Sequence, residues 1–423
     1  LCLKTFKQLK KEKFFIMDKN LKFYDLFQHA SFINERHGMD ARAVDVIPIP
    51  GAEVDPEWKD YIIPTWVADQ SFKTCPAITD RIKKRADHPA FGYFAPRDEY
   101  FEGIIRWQKN NYGADVTKDD IVYANGLLGG VLSAMNVFAE KGAKVLLHAP
   151  TYIGFTNCLK NQGFDIVHSW LKKDENGVWR MDYADMEKKI VENNIHVTVF
   201  CTPHNPCGRV WTVEELEKAY AIFEKYDVKV IADQIWADCI HIGYKHHSPE
   251  LTNEWAKNNT ISFYAPSKTF NLAGFVGSYG IIYNKYWRDR WNKEASLTHY
   301  NSMNVLWMHA MIGAYSGEDG YEWVKSFQEA ITENSDLIYN TLKSIPGIEV
   351  AKPEGTFMIY AQFDKYLEDK GMTIDELQKK GVKYGVIWQD GRPFHAPNSI
   401  RMNMAIPTEA AAEMARRLKE YIL

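Results

Sequence analysis

From about residue 76, short β-rich apolar runs alternate with stretches whose apolar positions recur at helical spacing. "DIVYA" ends at Ala124, and an apolar helical stretch follows from about Leu128 to Glu140. Then come "AKVLLHAP", "HVTVFCTP", a helix from about Val213 to Lys225, and "VKVIAD", "TISFY" and "SYGIIY". Strands alternating with helices predict βαβ units and a mostly parallel sheet. After about residue 305 the rhythm changes: a long helical segment, Tyr321 to Lys343, leads to shorter strands and a final helix near Pro407 to Tyr421. The stretch before residue 75 is irregular. The pattern therefore predicts a large α/β domain over 76–305 and a smaller α+β domain assembled from both chain ends, 17–75 and 306–423.

Three of the predicted strands end in short polar punctuation, "PTY", "TPHNPCG" and "DQIW". In open α/β sheets ligands sit beyond the carboxyl ends of the strands, so these distant segments are expected to converge.

Composition narrows the classes. The 423 residues are 46% hydrophobic, enough for a large core, and the 51 basic and 55 acidic side chains give a net charge of −4. That balance points away from nucleic acid, and no run of about 18 apolar residues predicts a membrane span. The six cysteines form no CxxC pair and do not resemble a disulfide framework, which fits a reducing cytoplasm. "LCLKTFKQLKKEKFFI" carries five lysines and one acid, lacks the apolar core of a signal peptide, and reads as a basic arm over 1–16.

Lys268, in "YAPSKTFNLAG", is the candidate for covalent chemistry: a lysine amine forms a Schiff base with an aldehyde cofactor, of which pyridoxal 5'-phosphate is the usual one. Such a ring needs a carboxylate at its pyridine nitrogen, a donor at its phenolic oxygen, an aromatic on one face and amides at a helix N-terminus for the phosphate. Asp233 ends an apolar strand, where a carboxylate is costly unless paired, and a pyridinium would pair it. Asn205 of "HNPCG" can donate its amide, Tyr152 of "APTY" can stack, and Leu127 and Leu128 of "NGLLGG" open a helix. Each alone has an ordinary reading as a cap, a turn, packing or a surface lysine. Their order along one chain carries the weight.

On these residues the chain resembles the fold-type I pyridoxal-phosphate enzymes of the class I/II aminotransferase superfamily, from about residue 20 onward. "FGY", "CTPHNPCGRVWT", "APSKTFNLAG" and "WVADQSF" are most similar to its MalY/PatB branch, whose members include cystathionine β-lyases. The resemblance implies a three-layer α/β sandwich and a homodimer. It also implies that Lys268 holds the cofactor and moves protons at the substrate α-carbon. Asp233, Asn205 and Tyr152 take the ring positions just given, Tyr93 reaches the phosphate in the neighbouring subunit, Ser267 helps there, and Arg401 of "SIRMNMA" grips the substrate carboxylate.

The chain departs from the family at three points. "DQIW" stands where DEIY or DEIH is common. Trp236 thus replaces a Tyr or His near the phenolic oxygen, and Gln234 removes a negative charge beside Asp233. Val276, eight residues after Lys268, occupies the place of a phosphate-binding arginine that this branch also tends to lack. A C–S β-lyase acting on cystathionine or related cysteine conjugates is the leading expectation. An aminotransferase, a racemase and a regulatory protein that keeps the fold remain open. "DARAVDVIPIPGAEVDPEW" and "IWQDGRPFHAPNS" are expected to line the entrance.

Overall fold

The computed structural model describes residues 18–297 and 299–423, so the basic arm expected over 1–16 lies outside the described residues. The central sheet has seven strands: β1 Ile121–Ala124, β2 Lys144–Ala149, β3 Asp165–Trp170, β4 Val197–Cys201, β5 Lys229–Asp233, β6 Thr260–Tyr264 and β7 Ser278–Ile281. Their order is β1-β7-β6-β5-β4-β2-β3. β2 pairs in parallel with β3 and β4, and β4, β5 and β6 continue in parallel. β7 runs antiparallel to both β1 and β6, so β1 points the same way as the parallel strands. The carboxyl ends of β1, β2, β4, β5 and β6 therefore share one edge, and the segments that follow them are the ones singled out above.

The burial of these strands explains their sequences. Val197–Cys201 and Thr260–Tyr264 are buried at every position, as expected for interior strands covered on both faces. β3, at the sheet edge, mixes exposed and half-buried positions, and its sequence "DIVHSW" gives no clean period. The helix Val213–Lys225 starts where a capping box fixes it: Thr212 Oγ1 accepts from the Glu215 N–H, and Glu215 reaches back to the Thr212 N–H. The helix after β1 runs Leu127–Phe138, ending two residues short of the expected Glu140, where Ala139 turns extended.

A second sheet of five strands has the order Ile63–Thr65, Val386–Asp390, Ser399–Asn403, Met358–Gln362 and Glu349–Val350. It joins chain segments from both ends. The 26-residue helix Glu318–Lys343 packs against it and against the helix Thr408–Arg417. An aromatic chain links this region to the large sheet. Phe27 meets Phe72 at 4.7 Å, Trp323 stacks on Phe327 at 5.2 Å, Phe327 meets Phe357 at 6.1 Å, and Phe357 meets Trp236 at 4.7 Å. Edge-on and offset ring pairs of this kind add to what area burial alone contributes. Among the described residues no helix is long and apolar enough to cross a membrane, and Cys75, Cys158, Cys201, Cys207 and Cys239 are free thiols.

Candidate active site

Asp233 is the last residue of β5 and is buried. Its Oδ1 accepts from the Ile235 N–H at 3.0 Å, and the thiol of Cys201, its register partner on β4, lies 3.8 Å from Oδ2. Burial pushes its carboxyl up to about 7, against the pull of those two donors. Among the described residues no cation pairs with it.

Lys268 sits in the one-turn helix Pro266–Thr269 that follows β6, with buried Ser267 beside it. Its Nζ donates to the Ala68 carbonyl at 2.7 Å and lies 5.5 Å from the centre of the Trp236 ring. Burial, reinforced by the charge of Arg401, lowers its amine to about 8, while Asp69 and Asp233 pull the other way. About a tenth of the amine is therefore unprotonated at pH 7, far more than for an ordinary lysine, which suits a nucleophile or a base.

Arg401, on the strand Ser399–Asn403, is buried without a carboxylate partner among the described residues. Nη1 donates to Asn205 Oδ1 at 3.2 Å, Nη2 to the Trp66 carbonyl at 3.4 Å, and Nε has no partner. The Phe394 ring covers its guanidinium at 4.8 Å. Burial lowers it to about 10, which leaves it charged at neutral pH. Because Arg401 takes the Asn205 oxygen, the Asn205 amide nitrogen is the group left to donate into the site.

Tyr152 caps the helix Ile153–Asn161 just after β2. Burial raises its phenol above the ordinary value, with Arg401 pulling it down and Asp233 pushing it up. Its ring lies back over Gly154, where an added Cβ would stand 2.3 Å from Tyr152 Cε1. Leu127 and Leu128 open the helix Leu127–Phe138 after Gly126, whose φ of 71° lies in the region that favours glycine. The first amides of that helix have no acceptor within it, so they form an anion cradle at the same sheet edge.

Lys268, Asp233, Asn205, Tyr152, Arg401 and Trp236 thus lie in one place, with the Leu127 and Leu128 amides at the same edge. Tyr93 does not join them within this chain: its side chain is fully exposed, between exposed Phe91 and Phe94.

Gln234, which removes a negative charge beside Asp233, is buried. Its amide donates to Glu250 Oε2 at 2.8 Å and its Oε1 lies 2.8 Å from His246 Nε2. Glu250 is itself buried and also accepts from Tyr264 Oη at 2.7 Å, with no ion pair to it among the described residues. The two segments expected at the entrance do meet: Pro48, Ile49 and Pro50 line a cavity of about 390 Å³ with Gln389, Asp390 and Arg392. Sequence reasoning passed over Gln70, bonded to the carbonyls of Lys268 and Thr269, and Asn271, bonded to the Gln70 backbone. Their only signal was that Gln70 lies inside "WVADQSF".

A family model described as aminotransferase class I and II matches residues 67–418. The chain belongs to this family. The aminotransferase class I and II match spans the whole seven-stranded sheet, the second sheet apart from its strand Ile63–Thr65, and Lys268, Asp233, Asn205, Tyr152 and Arg401. The cystathionine beta-lyase PatB of Bacillus subtilis (strain 168) is 29% identical over 84% of this chain and 92% of its own length. Cystalysin from Treponema denticola, whose structure contains a pyridoxal 5'-phosphate cofactor, superposes with a TM-score of 0.82 at 27% identity, covering 96% of this chain and 98% of its own. A PLP-bound C–S lyase from Staphylococcus hominis gives 0.81 at 26% identity, covering 94% and 100%.

Proposed function

We propose that this chain is a pyridoxal-phosphate enzyme that cleaves the Cβ–S bond of cystathionine or a related cysteine conjugate. The observation that carries this reading is a half-buried lysine amine near a buried carboxylate and a buried guanidinium, neither of them in an ion pair among the described residues. That arrangement fits the cofactor and an amino-acid substrate together. A pyridinium would answer Asp233, and a substrate α-carboxylate would answer Arg401, whose fork matches it in two-pronged fashion. When bound, pyridoxal phosphate supplies an aldehyde for amines and a ring that takes up the electrons left at the substrate α-carbon.

The chain's own residues supply the rest. Asp233 would hold a proton on the ring nitrogen. Asn205 would donate to the phenolic oxygen from the amide that Arg401 has oriented. Tyr152 would cover one face. The amides of Leu127 and Leu128, with Ser267, would hold the phosphate. Lys268 would carry the cofactor, give way to the substrate amine and take the α-proton. With the α-proton removed, the Cβ–S pair would leave on sulfur, which takes up a proton to become the thiol, and water would hydrolyse the three-carbon imine that remains to pyruvate and ammonia. PatB and the Staphylococcus hominis protein are both named as lyases of this type, which supports the β-lyase over the aminotransferase outcome.

The full exposure of Tyr93, on a stretch with exposed Phe91 and Phe94, supports a homodimer in which this side chain reaches the neighbouring site. The deciding experiment supplies cystathionine with and without a keto acid. Pyruvate and thiol released without the keto acid are expected; strict dependence on it would reject the lyase. Borohydride should fix pyridoxal phosphate to the protein and fail to do so in Lys268→Ala. Fixation at another lysine would overturn the assignment.

A further inference from the structure

Residues 66–71 cross the site as a strap whose carbonyls hold side chains from both sheets. The Trp66 carbonyl accepts from Arg401, the Ala68 carbonyl from Lys268 Nζ, and those of Val67 and Asp69 from Asn403 Nδ2 at 2.7 and 2.5 Å. Gln70 works in the reverse direction. Its Nε2 donates to the carbonyls of Lys268 and Thr269, at 2.6 and 2.8 Å. Asn271 answers from the far side of the turn: its Oδ1 accepts the Gln70 N–H at 3.1 Å and its Nδ2 donates to the Gln70 carbonyl at 2.9 Å. Gln70 is completely buried, so both amide hydrogens are spent on the backbone that carries the lysine. The same turn is pinned from behind by Asp238, which accepts from Thr269 Oγ1 at 2.9 Å and from Trp107 Nε1 at 3.1 Å.

A flexible lysine chain lands where its backbone and its acceptor put it. Here the acceptor is a neutral carbonyl. A carboxylate in its place would hold the ammonium form too firmly for a base, whereas a carbonyl leaves the proton free to go. The charged and titratable groups facing Nζ are Arg401, Asp69, Asp233 and the Cys239 thiol, and Asp69 is itself tied to Arg36 at 2.6 Å. The strap thus places a dipole, not a counter-ion, on the amine.

We propose that Gln70 is a positioning residue for Lys268: it clamps the 66–71 strap to the lysine's own turn, so that the Ala68 carbonyl receives the amine whenever that amine is free of cofactor. The clamp rests on Lys268 being the cofactor-bearing lysine. It also fixes the strap between that lysine and Arg401, so the amine and the carboxylate grip keep one spacing.

The test uses the full-length protein and two variants. Gln70→Met keeps the shape and removes both donors. Asn271→Gly keeps the left-handed backbone, φ 56°, and removes both side-chain bonds to Gln70 without adding a charge. Competitive acetylation across pH, read by mass spectrometry on the Lys268 peptide before cofactor is added, reports the amine directly. In Gln70→Met its midpoint is expected to rise by about one pH unit as water enters, with Asn271→Gly moving it less in the same direction. In the reconstituted enzyme kcat should fall about tenfold while KM stays within about threefold. An unchanged acetylation midpoint in both variants, or a loss confined to melting temperature, would reduce Gln70 to a structural residue and overturn the proposal. If Gln70→Met does not fold, Asn271→Gly decides alone. Because acetylation reads the lysine without cofactor, it stays interpretable even if borohydride fixes the cofactor elsewhere.

Discussion

Arg401 holds a full positive charge against two neutral acceptors and the face of Phe394. A buried charge so poorly answered gains most when a carboxylate arrives. Arg401→Gln should raise KM for amino-acid substrates by about a hundredfold, and Arg401→Lys by at least about tenfold, because a point charge cannot match the two-pronged fork. Steady-state kinetics on cystathionine checks both. Asp233 carries the opposite problem. Its folded value, about 7, lies above the ordinary 3.8, so its protonated form is the one folding favours. That contribution is fully present below about pH 4 and is lost as pH rises through about 7. Cofactor-free protein should therefore lose a few kcal/mol of stability across that window, at about 1.4 kcal/mol for each pH unit between the two values. Urea unfolding at stepped pH should show the loss in the native sequence and a flatter profile in Asp233→Asn.

Single elements carry much of the geometry, and some of them were legible before the structure. Val213–Lys225 was readable to the residue because Thr212 and Glu215 write its start in local chemistry. The strands that end at Ala149, Cys201 and Asp233 were readable because interior parallel strands are buried on both faces and carry runs of Val, Leu, Ile and Phe. β3 was not, since an edge strand mixes both environments. The reversed direction of β7 was not either, because a buried strand looks the same read either way. Asp233, Asn205 and Lys268 were found because each stands at a strand end beside turn-forming residues. Gln70 was not, because its partners lie 198 and 199 residues away and a polar side chain does not announce its distant acceptors.

Two tests belong at this scale. Gly154→Ala places a methyl where the Tyr152 ring lies, so the ring must swing off the cofactor face. The fold should persist while cofactor affinity falls about tenfold, the value of a stacking contact. Equilibrium dialysis of pyridoxal phosphate measures it. Gln234→Glu would set two carboxylates together in a buried space, at a cost of about 2–4 kcal/mol, and adding Glu250→Gln should restore most of it. A double-mutant cycle by chemical denaturation gives the coupling.

At the scale of the whole molecule, two sheets meet at the site and each brings one half of the chemistry. The large sheet presents Asp233, Asn205, Tyr152 and Lys268; the small one presents Arg401. Under the proposed homodimer, the exposed Phe91–Phe94 stretch adds a third contributor. Tyr93→Phe should then weaken cofactor binding about tenfold without changing the sedimenting mass, which is expected at about twice that of one chain. A monomer with full activity would remove Tyr93 from the site.

The strap at 66–71 also sets a timetable. Its carbonyl at Trp66 waits for Arg401, 335 residues downstream, and its contacts at Val67 and Asp69 wait for Asn403. During synthesis the ribosome must release more than 330 further residues before any of these bonds can close, and a contact so distant in sequence is slow to form. The large sheet, complete once Ile281 has emerged, can fold long before that. A nascent chain stalled before residue 399 should therefore show protected central strands and a strap already held at Ala68 and Gln70, with Trp66, Val67 and Asp69 still lacking their partners, so the lysine's setting is made first and the carboxylate grip is added to it afterwards.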